Sequence, residues 1–232
     1  KILTLWQETA PNRPDYYNED LAIFNQVSKS SGKLELGINL IGIYVIPDGQ
    51  TSNKAKKEIA NELQYLGGNL TLTDASDYDI IYHKFVDERV YHNFSVGKTF
   101  LTDKFIPPEI LLDKLDQALH INGFTYIGLQ LMGGKISQKK SSDTAFYPRQ
   151  SKFFVDIFNF WDSPVDQESN MKWNGKTFVE LYPIIGPYSY LGFPVPILSN
   201  NLKAYYGDNL EKLRKIKKKV DPLGLLKFPG SL

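Results

Sequence analysis

Two apolar stretches, residues 125–132 and 152–161, follow each other with only a polar loop around 137–143 between them, and this succession constrains the fold more than any other feature of the chain. Elsewhere, strand-like stretches alternate with helical patterns of about three turns, which alone would predict a parallel sheet. Two neighbouring strands with no helical period between them favour a mixed or antiparallel sheet instead.

Residues 1–7 read as a strand, with Ile2, Leu3, Leu5 and Trp6 ahead of the Pro11-Asn12-Arg13-Pro14 break. Tyr17, Leu21, Phe24 and Val27 recur at three- and four-residue spacing and predict a helix that Ser30-Ser31-Gly32 ends. Leu34, Leu36, Ile38 and Leu40 alternate strictly, and the run to Ile46 predicts a long strand with at least one buried face, turned by Pro47-Asp48-Gly49. Ser52 is placed to cap a helix carrying Ala55, Ile59, Leu63 and Leu66, closed by Gly67-Gly68. Residues 71–98 hold no sustained period and read as loop and short helix. A strand over 99–105 precedes a helix opened by Pro107-Pro108, carrying Leu111, Leu112, Leu115 and Leu119 and ended by Asn122-Gly123. A further helix is expected near 167–181.

Near the C-terminus, Asp208 is placed to cap a helix, with Glu211 three residues on to reciprocate. Leu210, Leu213, Ile216 and Val220 form its expected buried stripe, Lys217, Lys218 and Lys219 sit where the helix dipole favours cations, and Pro222 stops it. The sum is an α+β fold: a largely antiparallel sheet covered by helices on one face, with a C-terminal amphipathic helix. The helices at 52–66 and 108–119 are expected to cover one face of a sheet that contains 99–105, 125–132 and 152–161.

Lys and Arg number 27 against 26 Asp and Glu, so no whole-molecule field draws nucleic acid or an anionic membrane, and neither is expected as a partner. No run approaches the roughly 18 apolar residues of a membrane span. The absence of cysteine excludes disulfides and thiolate chemistry. Gly97-Lys98-Thr99 and Gly175-Lys176-Thr177 imitate the end of a phosphate-binding loop, but His92 and Asn170 stand where its opening Gly is required. His83, His92 and His120 lack metal-ligand spacing, and no metal is expected. Two sequons, at Asn69 and Asn93, are about what chance provides and point only weakly to secretion.

One succession of motifs carries a resemblance. Ile127-Gly128-Leu129-Gln130-Leu131-Met132-Gly133-Gly134 is followed by Ala145-Phe146-Tyr147-Pro148-Arg149, by a strand closing on Trp161, and by Tyr188-Ser189-Tyr190-Leu191-Gly192-Phe193. The tail Ala204-Tyr205-Tyr206-Gly207-Asp208-Asn209, with Leu213, Lys217 and Asp221-Pro222, completes the order. This order resembles the berberine-bridge-enzyme-like FAD-linked oxidases of the vanillyl-alcohol-oxidase superfamily.

The resemblance implies a substrate-binding domain over 1–200 and a C-terminal segment over 201–232 that packs on a flavin-binding lobe not included in these residues. That lobe is the implied partner, FAD the implied cofactor, and a small hydroxylated molecule the implied substrate, oxidised by hydride transfer to flavin with reoxidation by oxygen. The alternative is a non-catalytic binding or interaction domain descended from such an enzyme.

Relatives commonly carry Tyr-x-Asn-Tyr where this chain has Tyr190-Leu191-Gly192-Phe193, and Phe193 cannot act as a base. Asp156, among Phe154, Val155, Ile157 and Phe158, is the candidate proton acceptor, since an apolar setting raises a carboxylate's pKa into a useful range. Its other reading is a sheet Asp facing solvent or pairing with Arg149. Gln130 lies at a substrate-facing position of the resemblance, although it could equally sit on a solvated face. Tyr190, Phe193 and Tyr44 are the remaining substrate-contact candidates, and Asn209 the cofactor-contact candidate.

Overall fold

The computed structural model describes residues 1–28, 30–67, 71–72, 92–195, 198, 201–228 and 231–232. Residues 2–9 form a helix, α1 (Ile2–Thr9), and not the strand expected there. Leu3, Trp6, Gln7 and Ala10 are its buried side, one stripe of a helical period. Gln7 belongs in that stripe because its amide serves the backbone of Ile106 in both directions, donating from Nε2 to the carbonyl at 2.9 Å and accepting the N–H at Oε1 at 2.8 Å.

The helix expected next is a strand, β1 (Tyr17–Val27), antiparallel to β2 (Leu34–Tyr44). Its buried positions are Glu19, Leu21, Ile23 and Asn25, strictly alternate, and the two polar members disguise the two-residue period. β2 was expected to bury a face; Leu36 and Leu40 do pack half-buried against the core, but as the outer strand of the sheet it leaves Leu34, Ile38, Ile41 and Ile43 exposed. The turn at Pro47-Asp48-Gly49 is present, with the Gln50 N–H donating to the Pro47 carbonyl.

Helix α2 (Ser52–Leu63) follows, capped by Thr51 and not by Ser52: the Thr51 hydroxyl accepts from the Lys54 N–H at 3.4 Å. Only Ala55 of its stripe is buried, and its terminal turn, Gln64–Leu66, packs beside α1, so the expectation that it covers the sheet is corrected. Gly67 closes it at a positive φ of 62°, as expected, while Gly68 lies outside the described residues. Of the stretch read as loop and short helix, 73–91 lies outside the described residues, and its end belongs to β3 (Phe94–Thr102), which starts and stops earlier than the expected 99–105.

Helix α3 (Pro108–Ala118), strands β4 (Phe124–Leu131) and β5 (Phe153–Trp161), and helix α4 (Gln167–Ile185) occur close to where the pattern places them. The sheet order is β2-β1-β4-β5-β3, and every pairing is antiparallel. α3 lies over β1 and β4, and α4 over β3 and β5. Leu21, Ile127, Leu129, Phe100, Val155 and Ile157 face Leu111, Leu115, Phe178 and Leu181 in one core. Burying each such side chain contributes about 1.5–3 kcal/mol relative to leaving it in water. Phe100 stacks on Phe178 with centroids 4.6 Å apart.

The same buried face holds a polar network absent from the sequence reading. Asn159 Nδ2 donates to Thr125 Oγ1 at 2.9 Å and to Asn170 Oδ1 at 3.2 Å, and Asn174 Nδ2 donates to Asn159 Oδ1 at 3.0 Å. Lys98 Nζ donates to Asn174 Oδ1 at 2.6 Å, and burial lowers its pKa. Gly97-Lys98-Thr99 thus lies inside β3, and Gly175-Lys176-Thr177 inside α4.

The tail forms α5 (Lys203–Tyr206) and α6 (Leu210–Val220). Ala204, Tyr205, Tyr206 and Leu210 join the main core, but Ile216 and Val220 are exposed, so the expected stripe is buried only at its first turn. Asp208 does not cap α6; its Oδ2 accepts from the Tyr147 hydroxyl at 2.8 Å, joining the tail to the loop before β5. The stop is built at Asp221, whose carboxylate accepts from Lys217 Nζ at 2.6 Å and from the N–H groups of Leu225 and Leu226.

Candidate functional site

In a strand, alternate side chains leave by opposite faces, so the core on one face fixes what stands on the other. Register places Asp20 opposite Gln130 and Gln130 opposite Phe154, then Ala22 opposite Gly128 and Gly128 opposite Asp156, then Phe24 opposite Tyr126 and Tyr126 opposite Phe158. These rows form the face away from α3 and α4. Tyr126, Phe158 and Phe160 lie with their ring planes nearly parallel, with centroids 5.6–6.2 Å apart and interplanar angles of 10–14°. Tyr190 and Phe193 rise beside this platform. Tyr190 meets Phe154 edge-on at 6.0 Å, and Phe193 meets Phe158 edge-on at 5.7 Å. The Tyr190 N–H donates to Thr99 Oγ1 on β3 at 3.3 Å, which anchors the turn that carries both rings. Beyond Tyr190 opens a pocket of about 450 Å³ lined by Phe146, Ser189, Leu191, Tyr206 and Phe228.

Asp156 is buried in the floor of this face at 4% exposure. Neither reading as a solvent-facing residue nor pairing with Arg149 describes it. Arg149 instead donates to the Ile136 carbonyl and Thr144 Oγ1 and lies 5.4 Å from the Phe146 ring. Asp156 Oδ2 accepts from the Tyr126 hydroxyl at 3.1 Å, and Oδ1 is buried with no partner among the described residues.

The carboxylate leans over β4, and only glycine permits this: a Cβ built on Gly128 would lie 2.1 Å from Asp156 Oδ1. Burial, and then the charge of Asp20, push the Asp156 pKa up to about 7, against the opposing hydrogen bonds from Tyr126 and the backbone of Asp156 and Gly128. Burial raises the pKa of Asp20 as well, and the Tyr126 hydroxyl is raised by burial and by the Asp156 charge. Gly128→Ala is expected to force Asp156 off the strand and to cost about 1–3 kcal/mol through overpacking. Urea denaturation reads the cost, and a crystal structure of the variant reads the displaced carboxylate.

Gln130, Asp156, Tyr190 and Phe193 are thus brought to one face. Tyr44 is not among them: it stands opposite Tyr17 at the end of β2, on the helix side of the sheet, packed edge-on against Tyr16 and Tyr17. Asn209 is buried, and its Nδ2 donates to the carbonyls of Ser141 at 2.5 Å and Thr144 at 3.0 Å, so its amide donors hold the loop before β5. Asp20 and Tyr126 were missed by the sequence reading. Asp20 follows Tyr16-Tyr17-Asn18-Glu19 and looks like part of a solvated segment; only the correct period for β1 reveals it. Of the histidines, His92 Nδ1 is 3.0 Å from Asp162 Oδ2 at the far end of β5, and His83 lies outside the described residues.

The family model "Berberine and berberine like" matches residues 189–232. Two curated relatives from Bacillus subtilis (strain 168) are similar. The uncharacterized FAD-linked oxidoreductase YvdP is 29% identical over 150 residues, covering 63% of this chain and 32% of the relative. The uncharacterized FAD-linked oxidoreductase YgaK is 29% identical over 104 residues, covering 44% of this chain and 23% of the relative.

Among solved structures, berberine bridge enzyme from Eschscholzia californica superposes with a TM-score of 0.77 at 17% identity, covering 99% of this chain and 51% of that one. A chitooligosaccharide oxidase gives a TM-score of 0.75 at 17% identity with the same coverage. At that identity the superpositions establish the fold. The chain spans about half of the solved structures it matches and at most 32% of the curated relatives. The resemblance read from the motif order is borne out, as is the α+β architecture.

Proposed function

We propose that this chain, which carries the C-terminal segment of the berberine and berberine-like family on the fold of berberine bridge enzyme, is the substrate-binding portion of an FAD-dependent oxidoreductase acting on a small hydroxylated molecule. One observation carries the reading: a nearly fully buried carboxylate, Asp156, with a partnerless oxygen, lies in the floor of an open sheet face walled by Tyr190 and Phe193. A buried polar atom left without a partner is costly, and a substrate hydroxyl delivered onto that face would satisfy it.

FAD fits this arrangement, because the face offers parallel aromatic rings and a carboxylate but, among the described residues, no group that could itself take up an electron pair. The chemistry supplied by bound FAD is acceptance of a hydride from the substrate carbon, with oxygen as the final electron acceptor. Asp156 takes the hydroxyl proton, and Tyr126 holds the carboxylate through Oδ2 so that Oδ1 is the receiving atom. Gln130, two residues along β4 from Gly128, orients the substrate, while Tyr190 and Phe193 exclude water from one side. Asn209 serves the cofactor through the Ser141–Thr144 loop that it holds, and the exposed side of α6 meets the flavin-binding lobe.

These 232 residues, titrated with FAD, are expected to give no stoichiometric complex of submicromolar affinity, whereas the full-length protein that carries them should be yellow and bleach on anaerobic mixing with its hydroxylated substrate. A tight complex with these residues alone would place a flavin site in them. A second reading, a non-catalytic binding domain, draws on Phe193: its ring has no hydroxyl to share a proton. A flavin that never bleaches across a panel of alcohols and sugars would favour it.

A further inference from the structure

Asp20 is a second carboxylate on the open face, and the mechanism above does not use it. On β1 it stands opposite Gln130, while Asp156 on β5 stands opposite Gly128, so the two acids flank β4 from both sides and are offset by one pleat. The intervening positions carry almost no bulk: Gly128 has no side chain, and its other neighbour is Ala22. Asp156 leans across this gap, and Oδ1 of each acid is buried without a partner among the described residues. Among those residues neither acid has a Lys or Arg partner. The titratable groups facing Asp156 are Asp20 from β1 and Tyr126 from β4, while Tyr190 from the turn beside the sheet packs on Phe154. β3 supplies Thr99 opposite it, and β5 flanks it with Phe154 and Phe158.

We infer that Asp20 is a positioning residue for the proton acceptor: its carboxylate, set diagonally across the Gly128 gap, raises the readiness of the ionised Asp156 to take up a proton. The inference rests on the reading of Asp156 as the base. Two carboxylates turned to the same gap in a site with little water resist being charged together, so the ionised pair takes up its first proton more readily than either acid alone. A substrate proton transferred to Asp156 relieves that repulsion, which makes the transfer easier than it would be to an isolated acid.

The test uses the full-length protein with Asp20→Asn, which keeps shape and removes the charge. The 13C carboxyl resonance of Asp156 should titrate with a midpoint lower by about one pH unit, corresponding to about 1.4 kcal/mol. The acid limb of turnover should move down by a similar amount, with KM little changed. Asp20→Glu, which restores a charge, should return the midpoint toward the wild-type value even if the Asn variant folds poorly. An Asp156 midpoint unchanged in both variants overturns the inference. If Asp156→Asn leaves turnover intact, the reading of Asp156 as base fails, while the carboxyl titration still decides whether the two acids are coupled.

Discussion

Asp156→Asn is expected to lower the turnover of the flavoprotein by about two to four orders of magnitude while leaving its FAD content unchanged. The amide keeps the size of the carboxylate and its contact with Tyr126 but offers no basic oxygen to a substrate hydroxyl. Stability should move the other way. The pKa of Asp156 is raised from 3.8 to about 7, so between those values the folded chain binds a proton that the unfolded chain has released. Stability contributed by the protonated acid is therefore present below the unfolded value and is lost as pH rises toward 7. At pH 8 the Asn variant should be more stable than wild type by about 2–4 kcal/mol, and the difference should vanish below pH 4. Urea melts at the two pH values, with steady-state rates, check both halves. Unchanged turnover would remove Asp156 from the mechanism.

Glu19→Ala should cost about 3–5 kcal/mol, because it removes one member of a buried ion pair and leaves the other charge in place. Glu19 Oε2 accepts from Trp6 Nε1 at 2.7 Å and pairs with the Arg13 guanidinium, and both charged side chains are almost fully buried. That one oxygen ties α1, the turn after it and β1 together, immediately before Asp20. Glu19→Gln retains an acceptor for Trp6 and should cost less. Chemical denaturation of the two variants separates charge loss from hydrogen-bond loss, and equal costs would show that the ion pair contributes little.

Legibility in the sequence followed polarity. β4 and β5 could be read because most of their inward positions are apolar and a lone Asp or Gln in such a run is conspicuous; Asp156 and Gln130 emerged for that reason. β1 was misread because its buried positions include Glu19 and Asn25, whose partners, Trp6 and Thr125, are distant in sequence. What remained visible was the three- and four-residue spacing of Tyr17, Leu21, Phe24 and Val27, a helical signature with no helix behind it. α1 failed in the opposite direction: seven residues dense in Ile, Leu and Trp look like a strand, and its helical stripe runs through Gln7, whose amide is satisfied by the backbone of Leu3 and the distant Ile106. Asp20 was hidden by the same error that hid β1. The aromatic cluster was out of reach for another reason, since its rings come from two strands and only their register brings them together.

The Asn159 network gives the concealed side of the sheet a part in fixing what stands on the open side. Sliding β5 by one residue along β4 would exchange the two faces, burying Asp156 among leucines and turning Val155 toward the open face. Apolar side chains alone discriminate weakly against such a slip where Val, Ile and Phe alternate with other aromatics. Asn159 does not: displaced by one position, it would lose Thr125 Oγ1, Asn170 and Asn174 together and strand several amide groups in an apolar interior. Residues on the helix side thereby act as an alignment key, and the placement of the buried Asp156 carboxylate is enforced from the opposite side of the strand.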